Sequence, residues 1–437
     1  MEWQLTLLLI ACSFLILITT GLPIAFCFLL VNFVGAYLVF GGMIGIEQLV
    51  VSIYKSVSYF ALVPVVLFVL MGEVMFQSGI APSMIDAIGK AMGRLPGRLS
   101  LIAVGGGAIF ATLTGSSVAS VALLGSTLVP EMEKRGYKKP MTLGPILGSG
   151  GLAIMIPPSG LAILLGAIAR ISLGKLLVAI VIPGFVMASL YAIYIIARCK
   201  FQPSIAPAYS VTSFPLSKKV EALVRYVMPL GSILFMVLGF IFLGIATPSE
   251  AAATGALGTF ILAAAYRRLS WDVIKKSIGG TFRIAVMLLM ILTGAQAFSE
   301  IMALSGASRG LTEFAVSLPL APILILIAMQ FTLLIMGTFI DCVAMVMLTM
   351  PIFMPLVLAL GFNPVWFGVI VLLNMEMAET TPPYGLTLFV MKGVAPTGTT
   401  MGDIYRAGLP FLGCDLIVMI LLMVFPTLAL WLPGLMH

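Results

Sequence analysis

Apolar runs of membrane-spanning length recur along this chain from Thr6 to Leu432, and no other feature limits its fold as strongly. Inside hydrocarbon every backbone N–H and C=O must find a partner within the protein, so segments of this kind fold as helices. Only 9% of the 437 residues are charged, against about 25% in ordinary soluble proteins, and no stretch is long and polar enough for a soluble domain. The longest polar interruption, Arg198 to Arg225, reads as a loop holding Pro203, Pro207 and Pro215. The expected class is an all-α polytopic membrane protein in a lipid bilayer. A net charge of +7 does not imply nucleic acid, because the basic residues sit in short loops between apolar runs, where membrane topology accounts for them.

Met1-Glu2-Trp3-Gln4 lacks a basic leader and no small-residue cleavage site follows, so the first apolar run reads as a span and not as a signal peptide. Cys12, Cys27, Cys199, Cys342 and Cys414 show no paired or metal-like spacing. His437 is the only histidine, which leaves His-based catalysis and His metal sites without material; the chain is not expected to be an enzyme.

Two stretches break the spanning pattern. Residues 99–133 form two apolar arms of about 14 to 16 residues each, short of the roughly 20 that a helix needs to cross. They meet at Thr114-Gly115-Ser116-Ser117, and both outer ends are basic: Lys90, Arg94 and Arg98 before, Lys134, Arg135, Lys138 and Lys139 after. Both ends are therefore cytoplasmic, and the stretch is expected to be a re-entrant hairpin with a polar tip at depth. Residues 320–360 repeat the pattern around Gly337-Thr338-Phe339-Ile340-Asp341. Each hairpin precedes a broken apolar stretch. Residues 141–170 are interrupted by Ile156-Pro157-Pro158-Ser159, and residues 365–392 by Thr380-Thr381-Pro382-Pro383. Paired prolines remove backbone donors and disfavour helix in the residue before them, which frees the carbonyls of Met155, Ile156, Glu379 and Thr380.

One offset of 225 lays the second half on the first: Ser116 falls on Asp341, Pro130 on Pro355, Gly136 on Gly361 and Pro157-Pro158 on Pro382-Pro383. The loop after the first hairpin is basic while its counterpart, Ala359 to Val365, is not, so the two repeats are expected to be inverted. The units are residues 1–200, a cytoplasmic loop at 201–225, and residues 226–437. About ten transmembrane helices plus the two hairpins then place 19 of the 23 Lys and Arg residues in the cytoplasm, leaving Lys55, Arg170, Lys175 and Arg309 outside. Each half has an odd number of crossings, so both termini are expected outside. Arg267 to Lys276, with Trp271, reads as a short interfacial helix on the cytoplasmic face.

Hydroxyls at Thr114, Ser116 and Ser117 and the backbone freedom of Gly115 suit a hard cation such as Na⁺, and helix ends at such a break also favour an anion; the competing reading is a small-residue packing patch. Asp341 is costly at mid-membrane and calls for a partner: a bound Na⁺, a relayed proton, or helix-end hydrogen bonds. Glu376 and Glu379 share one helical face ahead of the second break, either holding the cation or pairing with a neighbouring helix. Gly148-Ser149-Gly150-Gly151 allows close approach of the first hairpin tip.

Gly115-Ser116-Ser117-Val118-Ala119, Ile156-Pro157-Pro158-Ser159, Thr247-Pro248-Ser249-Glu250-Ala251-Ala252-Ala253, Asn363-Pro364-Val365-Trp366-Phe367-Gly368 and Thr381-Pro382-Pro383-Tyr384-Gly385-Leu386 together resemble the large, DctM-like membrane subunit of TRAP transporters, the tripartite ATP-independent periplasmic family. The resemblance spans essentially the whole chain. It implies an elevator-type secondary transporter of the ion transporter superfamily, in a bacterial inner membrane, importing an organic acid anion (carboxylate, sugar acid or sulfonate) with Na⁺. It also implies two partners: a small membrane subunit of about four spans and a periplasmic substrate-binding protein. A stand-alone Na⁺ or H⁺ symporter of the same fold is the alternative. Carried onto this sequence, the Na⁺ sites draw on Thr114, Gly115, Ser116, Ser117 and Pro157 at the first tip and break. At the second they draw on Gly337, Thr338, Asp341, Glu379 and Thr380. The organic anion is expected between them, near Ser116, Ser117, Gly150, Ser159, Thr381 and Pro382.

Overall fold

A computed structural model of the chain describes residues 3–39, 41–58, 63–92, 95–114, 116–207 and 215–436. The first half runs through α1 (Trp3–Thr19), α2 (Ile24–Val39), α3 (Met43–Val57), α4 (Val63–Gln77), α5 (Ile80–Ala91), α6 (Arg98–Thr114), α7 (Ser117–Lys134), α8 (Lys139–Met155), α9 (Gly160–Ile168), α10 (Leu173–Ala179) and α11 (Val181–Phe201). The second half runs through α12 (Leu216–Ala222), α13 (Met228–Phe242), α14 (Pro248–Ala265), α15 (Trp271–Leu304), α16 (Ala307–Ser317), α17 (Pro322–Gly337), α18 (Cys342–Ala359), α19 (Pro364–Thr380), α20 (Leu386–Val394), α21 (Met401–Val424) and α22 (Thr427–Gly434). No strand occurs among the described residues.

Several of these helices suit a bilayer. Among the described residues, five helical segments reach 18 residues with spanning hydropathy, α8 and α9 form a broken span bent by 42°, and five shorter helices are predominantly apolar. The outer surface is oily: Leu8, Ile16, Leu38, Ile44, Phe235 and Phe282 stand exposed on α1, α2, α3, α13 and α15. The chain is a multi-pass membrane protein.

Helix boundaries recur with the displacement of the sequence motifs. Ser117–Lys134 and Cys342–Ala359 differ by 225 at both ends, as do Lys139–Met155 and Pro364–Thr380. The halves diverge elsewhere. Where the first half has separate α3 and α4, the second has the single 34-residue α15, about 51 Å long at 1.5 Å per residue. Arg267 to Lys276 is therefore not a separate interfacial helix. From Trp271 it forms the first turns of α15, capped by Ser270, whose Oγ accepts from Val273 N at 3.3 Å; no proline follows to end the helix before Leu304.

The core is built around α8 and α19. Every residue from Met141 to Met155 is buried, and so is every residue from Trp366 to Ala378. A helix buried all round carries apolar residues on all faces, and close neighbours demand small ones. On α8, a Cβ at Gly144 would lie 2.4 Å from the Ala407 carbonyl oxygen, and one at Gly148 would lie 2.6 Å from the Phe411 ring. Polar staples add direction. Asn32 Nδ2 donates to the Gly294 carbonyl at 2.7 Å, joining α2 to α15, and Asn374 Nδ2 donates to the Gln330 carbonyl at 2.8 Å, joining α19 to α17.

Gly144→Ala is expected to cost about 1–3 kcal/mol by overpacking α8 against backbone. Gly239→Ala on α13, where nothing lies within 4 Å, is expected to be neutral or slightly stabilising. Thermal unfolding of the two purified variants in detergent checks the contrast.

Candidate functional site

Both hairpins end on helix caps. In the first, α7 starts at Ser116, whose Oγ accepts from Ala119 N at 3.3 Å. In the second, α18 starts at Asp341, whose Oδ1 accepts from Val343 N at 2.9 Å and Ala344 N at 3.2 Å. Ser, Asp and Asn favour this position because their side chains satisfy amide donors that the first helical turn leaves free. The sequence thus places equivalent caps at equivalent positions of the two halves.

The two caps open onto one cavity of about 420 Å³. Its polar lining is Ser116, Ser117, Asp341, Cys342 and Glu379, with Pro158 and Gly160 from the first break and Leu386 from beside the second. Phe68 and Val69 of α4 and Ile284, Met287 and Leu288 of α15 close the opposite wall. That apolar wall has no polar or motif signal by which sequence reasoning could single it out. A smaller cavity of about 140 Å³ adjoins, sharing Asp341, Cys342, Glu379 and Leu386 and adding Gly337, Phe339, Ile340 and Tyr384.

The electrostatics of the lining are lopsided. Asp341 and Glu379 bring two carboxylates, and no Lys, Arg or His lines either cavity. Glu379 reaches toward the Ser117 hydroxyl and the Cys342 thiol, while its Oε2 is buried without a hydrogen-bond partner. Oxygens from hydroxyls and carboxylates are the donor set a hard cation prefers. Among the described residues, no three His, Cys, Asp or Glu side chains converge as a transition-metal site requires.

Other sequence candidates stand around this cavity without lining it. Thr338 Oγ1 donates to the Ile335 carbonyl at 2.7 Å, Thr381 Oγ1 to the Met377 carbonyl at 2.6 Å, and Thr380 Oγ1 to the Met377 carbonyl at 3.1 Å, each within its own chain turn. Ser159 is fully buried as the cap of α9, accepting from Ala162 N at 3.3 Å. Gly150 provides close packing: a Cβ there would meet Val121 at 2.5 Å and the Ser117 carbonyl oxygen at 3.4 Å. Pro157 is buried and Pro382 half-buried beside their breaks. Gly115 and the side chain of Thr114 lie outside the described residues.

Two of the carbonyls freed by the breaks are occupied from behind. The Met155 carbonyl packs on Gly184, where a Cβ would stand 2.4 Å away, and the Glu379 carbonyl accepts from Thr387 Oγ1 at 2.7 Å. A second cavity of about 470 Å³ lies between α3, α9 and α15 and is lined by Lys55, Arg170, Gln296, Ser299 and Glu300. It shares no residue with the hairpin tips, so the tip cavity remains the candidate site.

The family model of the DctM component of tripartite ATP-independent periplasmic transporters matches residues 11–428. The chain belongs to this family. It is 31% identical over 392 residues to the C4-dicarboxylate TRAP transporter large permease protein DctM of Pseudomonas aeruginosa, covering 89% of this chain and 90% of that one. It is 28% identical over 428 residues to the isethionate TRAP transporter permease protein DctMQ of Oleidesulfovibrio alaskensis, covering 96% of this chain and 65% of the relative. Among solved structures, Neisseria gonorrhoeae MtrF, described as illuminating a class of antimetabolite efflux pumps, is similar in fold with a TM-score of 0.63 at 14% identity, over 89% of this chain and 84% of MtrF. The DctM family consists of transporter permeases, which places this TRAP permease outside the enzymes.

The two caps make separable contributions in this TRAP permease. Ser116→Ala and Asp341→Ala are each expected to lower stability by about 0.5–2 kcal/mol through loss of the cap, whereas Asp341→Asn keeps a good capping side chain and stays near wild type. Thermal unfolding in Na⁺-free choline buffer checks this.

Proposed function

We propose that this chain is the large permease subunit of a binding-protein-dependent secondary transporter that imports a small organic anion together with Na⁺. The observation that carries the proposal is the meeting of both hairpin tips in one cavity, with the Ser116 and Ser117 hydroxyls on one side and the Asp341 and Glu379 carboxylates on the other.

The charge balance gives the coupling. An anion approaching two carboxylates is repelled, and at an effective dielectric constant of about 20 a unit charge 4 Å away contributes about 4 kcal/mol. Na⁺ held by Ser116, Ser117, Asp341 and Glu379 cancels that repulsion. The amide-rich starts of α7 and α18 then favour the anion. Na⁺ therefore binds first or together with the substrate, and the loaded site crosses as a unit.

The 225-residue recurrence of helix boundaries supports two inverted repeats, residues 1–200 and 226–437 joined by the loop at 201–225. In that arrangement hairpin 99–133 enters from the cytoplasm and hairpin 320–360 from the periplasm of a bacterial inner membrane, with both termini periplasmic. Movement of the tips and broken helices against the outer helices is an elevator step. The cavity lined by Lys55 and Arg170 then faces the periplasm, where its basic side chains attract an incoming anion.

The relatives' names supply the substrate class: a C4-dicarboxylate in one and the sulfonate isethionate in another. Both are small organic anions. The partners are a small membrane subunit of about four spans and a periplasmic substrate-binding protein.

The test has two parts. Proteoliposomes holding the chain with its small subunit and binding protein are expected to accumulate a labelled C4-dicarboxylate or isethionate only under an inward Na⁺ gradient; uptake unchanged without Na⁺ overturns the coupling, and uptake by this chain alone supports the stand-alone symporter. In parallel, Na⁺ replacing choline at constant ionic strength is expected to stabilise the purified wild type by about 2.7 kcal/mol at 100 times Kd, and Asp341→Asn is expected to lose that increment.

A further inference from the structure

The cavity of about 470 Å³ between α3, α9 and α15 has a lining opposite in charge to that of the hairpin tips. Lys55 and Arg170 bring two cationic heads to it against the single carboxylate of Glu300, whereas the tip cavity has the carboxylates of Asp341 and Glu379 and no basic side chain. Glu300 does not neutralise the pair. It accepts from Gln296 Nε2 at 3.5 Å, and none of the ion pairs among the described residues involves Lys55, Arg170 or Glu300. Two basic side chains that share a cavity with a carboxylate, yet leave it unpaired, keep their capacity for an anion.

Arg170 is set in place by the turn that ends α9. It follows the Ala169 cap with a φ of 55°, and the Ile171 amide reaches back to the Gly166 carbonyl at 2.9 Å, the hydrogen bond that closes a helix through a left-handed residue. Glycine ordinarily takes that position because a Cβ crowds the backbone there; among the described non-glycine residues only Arg267 shares it. Lys55 approaches from the last turn of α3. Basic residues at helix C-termini also answer the helix dipole. That role asks only for positive charge near each end, whereas these two ends belong to different helices and converge on one cavity.

The two cavities follow one another along the same helices. On α9, Leu161 and Leu164 line the tip cavity and Ala167 and Ile168 the basic one; on α15, Leu288 lines the first and Leu292 the second. The step between them is about one helical turn, roughly 5.4 Å. An apolar layer fills it: Leu164 and Leu292 are buried, with Leu161, Ile168, Leu288 and Val343 packed around them. The basic cavity is the roomier, about 470 against about 420 Å³, so it has the volume for any anion that the tips accept.

The lining also limits the ligand. Arg offers a planar fork to a carboxylate or sulfonate, and Lys adds a point charge. Ser299 and Glu300 supply acceptors for a hydroxyl or amine elsewhere on the same molecule. We propose that this cavity is a second anion site, at which Lys55 and Arg170 hold the carboxylate or sulfonate of the transported organic anion without Na⁺, one apolar layer short of the hairpin tips. Naming the ligand as the transported anion rests on the function proposed above; the charge and volume of the cavity do not. An anion held here passes to the tips only when the layer of Leu164 and Leu292 parts.

The experiment is equilibrium binding of a labelled C4-dicarboxylate, and separately of labelled isethionate, to the full chain in nanodiscs of zwitterionic lipid at low ionic strength in choline. The wild type is expected to bind one equivalent of at least one probe, with affinity falling as salt is added. Arg170→Gly gives the left-handed position the residue that suits it, and Lys55→Gln lies on an exposed turn, so both variants are expected to fold, which thermal unfolding checks. Each is expected to weaken the Na⁺-free binding at least tenfold, and the double variant to abolish it; either single variant suffices for the comparison. The choline assay tests this site by itself, while uptake under a Na⁺ gradient tests the function it rests on, so the two fail separately. Two results overturn the proposal: no binding of either probe by the wild type in choline, or binding in choline that survives the double substitution.

Discussion

Unpaired backbone is intolerable in hydrocarbon, and the arrangement of this protein follows from that constraint. Both spans interrupted by proline pairs, α8 with α9 and α19 with α20, run through the centre of the bundle, because only there can the interrupted backbone be covered by protein. Coverage needs close approach. Gly184 admits the Met155 carbonyl, and Gly385 with Thr387 admits the Glu379 carbonyl. The glycines of α8 then let α6, α7, α19 and α21 crowd around it. Outer helices with exposed leucine and phenylalanine complete the lipid face. The two hairpin tips meet the same core, since a capped turn at the end of a short apolar helix needs protein to cover its backbone.

Much of this was legible in the sequence because it depends on rules that act residue by residue. Short arms between basic flanks marked α6 and α7, and one displacement located α18 and α19 from α7 and α8 with matching ends. Asp341 as a helix-end residue was also readable, since capping is a local property. Side-chain direction was not. Thr338, Thr380 and Thr381 sit at the second tip and break, yet their hydroxyls turn back onto carbonyls of their own helices, as threonine does at helix ends. Gly150, expected beside the substrate, serves as a packing surface against α7. The fusion of the basic stretch at 271–276 into α15 depended on the absence of any break after Trp271, which competed with the amphipathic pattern and prevailed. Asp415 passed unremarked although a lone carboxylate in the last long apolar run is itself a signal.

The distribution of charge over the central helices ties these observations to transport. Asp341, Glu376, Glu379 and Asp415 all belong to helices that form or wrap the second hairpin and break, and no basic side chain lines the tip cavity. A site built to accept an anion would ordinarily present Arg or Lys. In the proposed cycle, one built from carboxylates and hydroxyls would hold an anion only with its cation in place: without the cation the anion gains too little to bind, and without the anion the cation leaves a charged, solvated cavity that resists crossing.

The four carboxylates meet that requirement differently because their access to water differs. Asp341 and Glu379 border a cavity of about 420 Å³, so in the proposed cycle their counter-charge would exchange with solution. Glu376 and Asp415 are sealed between α8, α11 and α21, where a hydrated ion would have to shed its shell to arrive. The packing of Glu376 directly onto the α8 backbone at Gly151 leaves no room there for a hydrated ion, so the exchangeable site of the proposed cycle is the tip cavity.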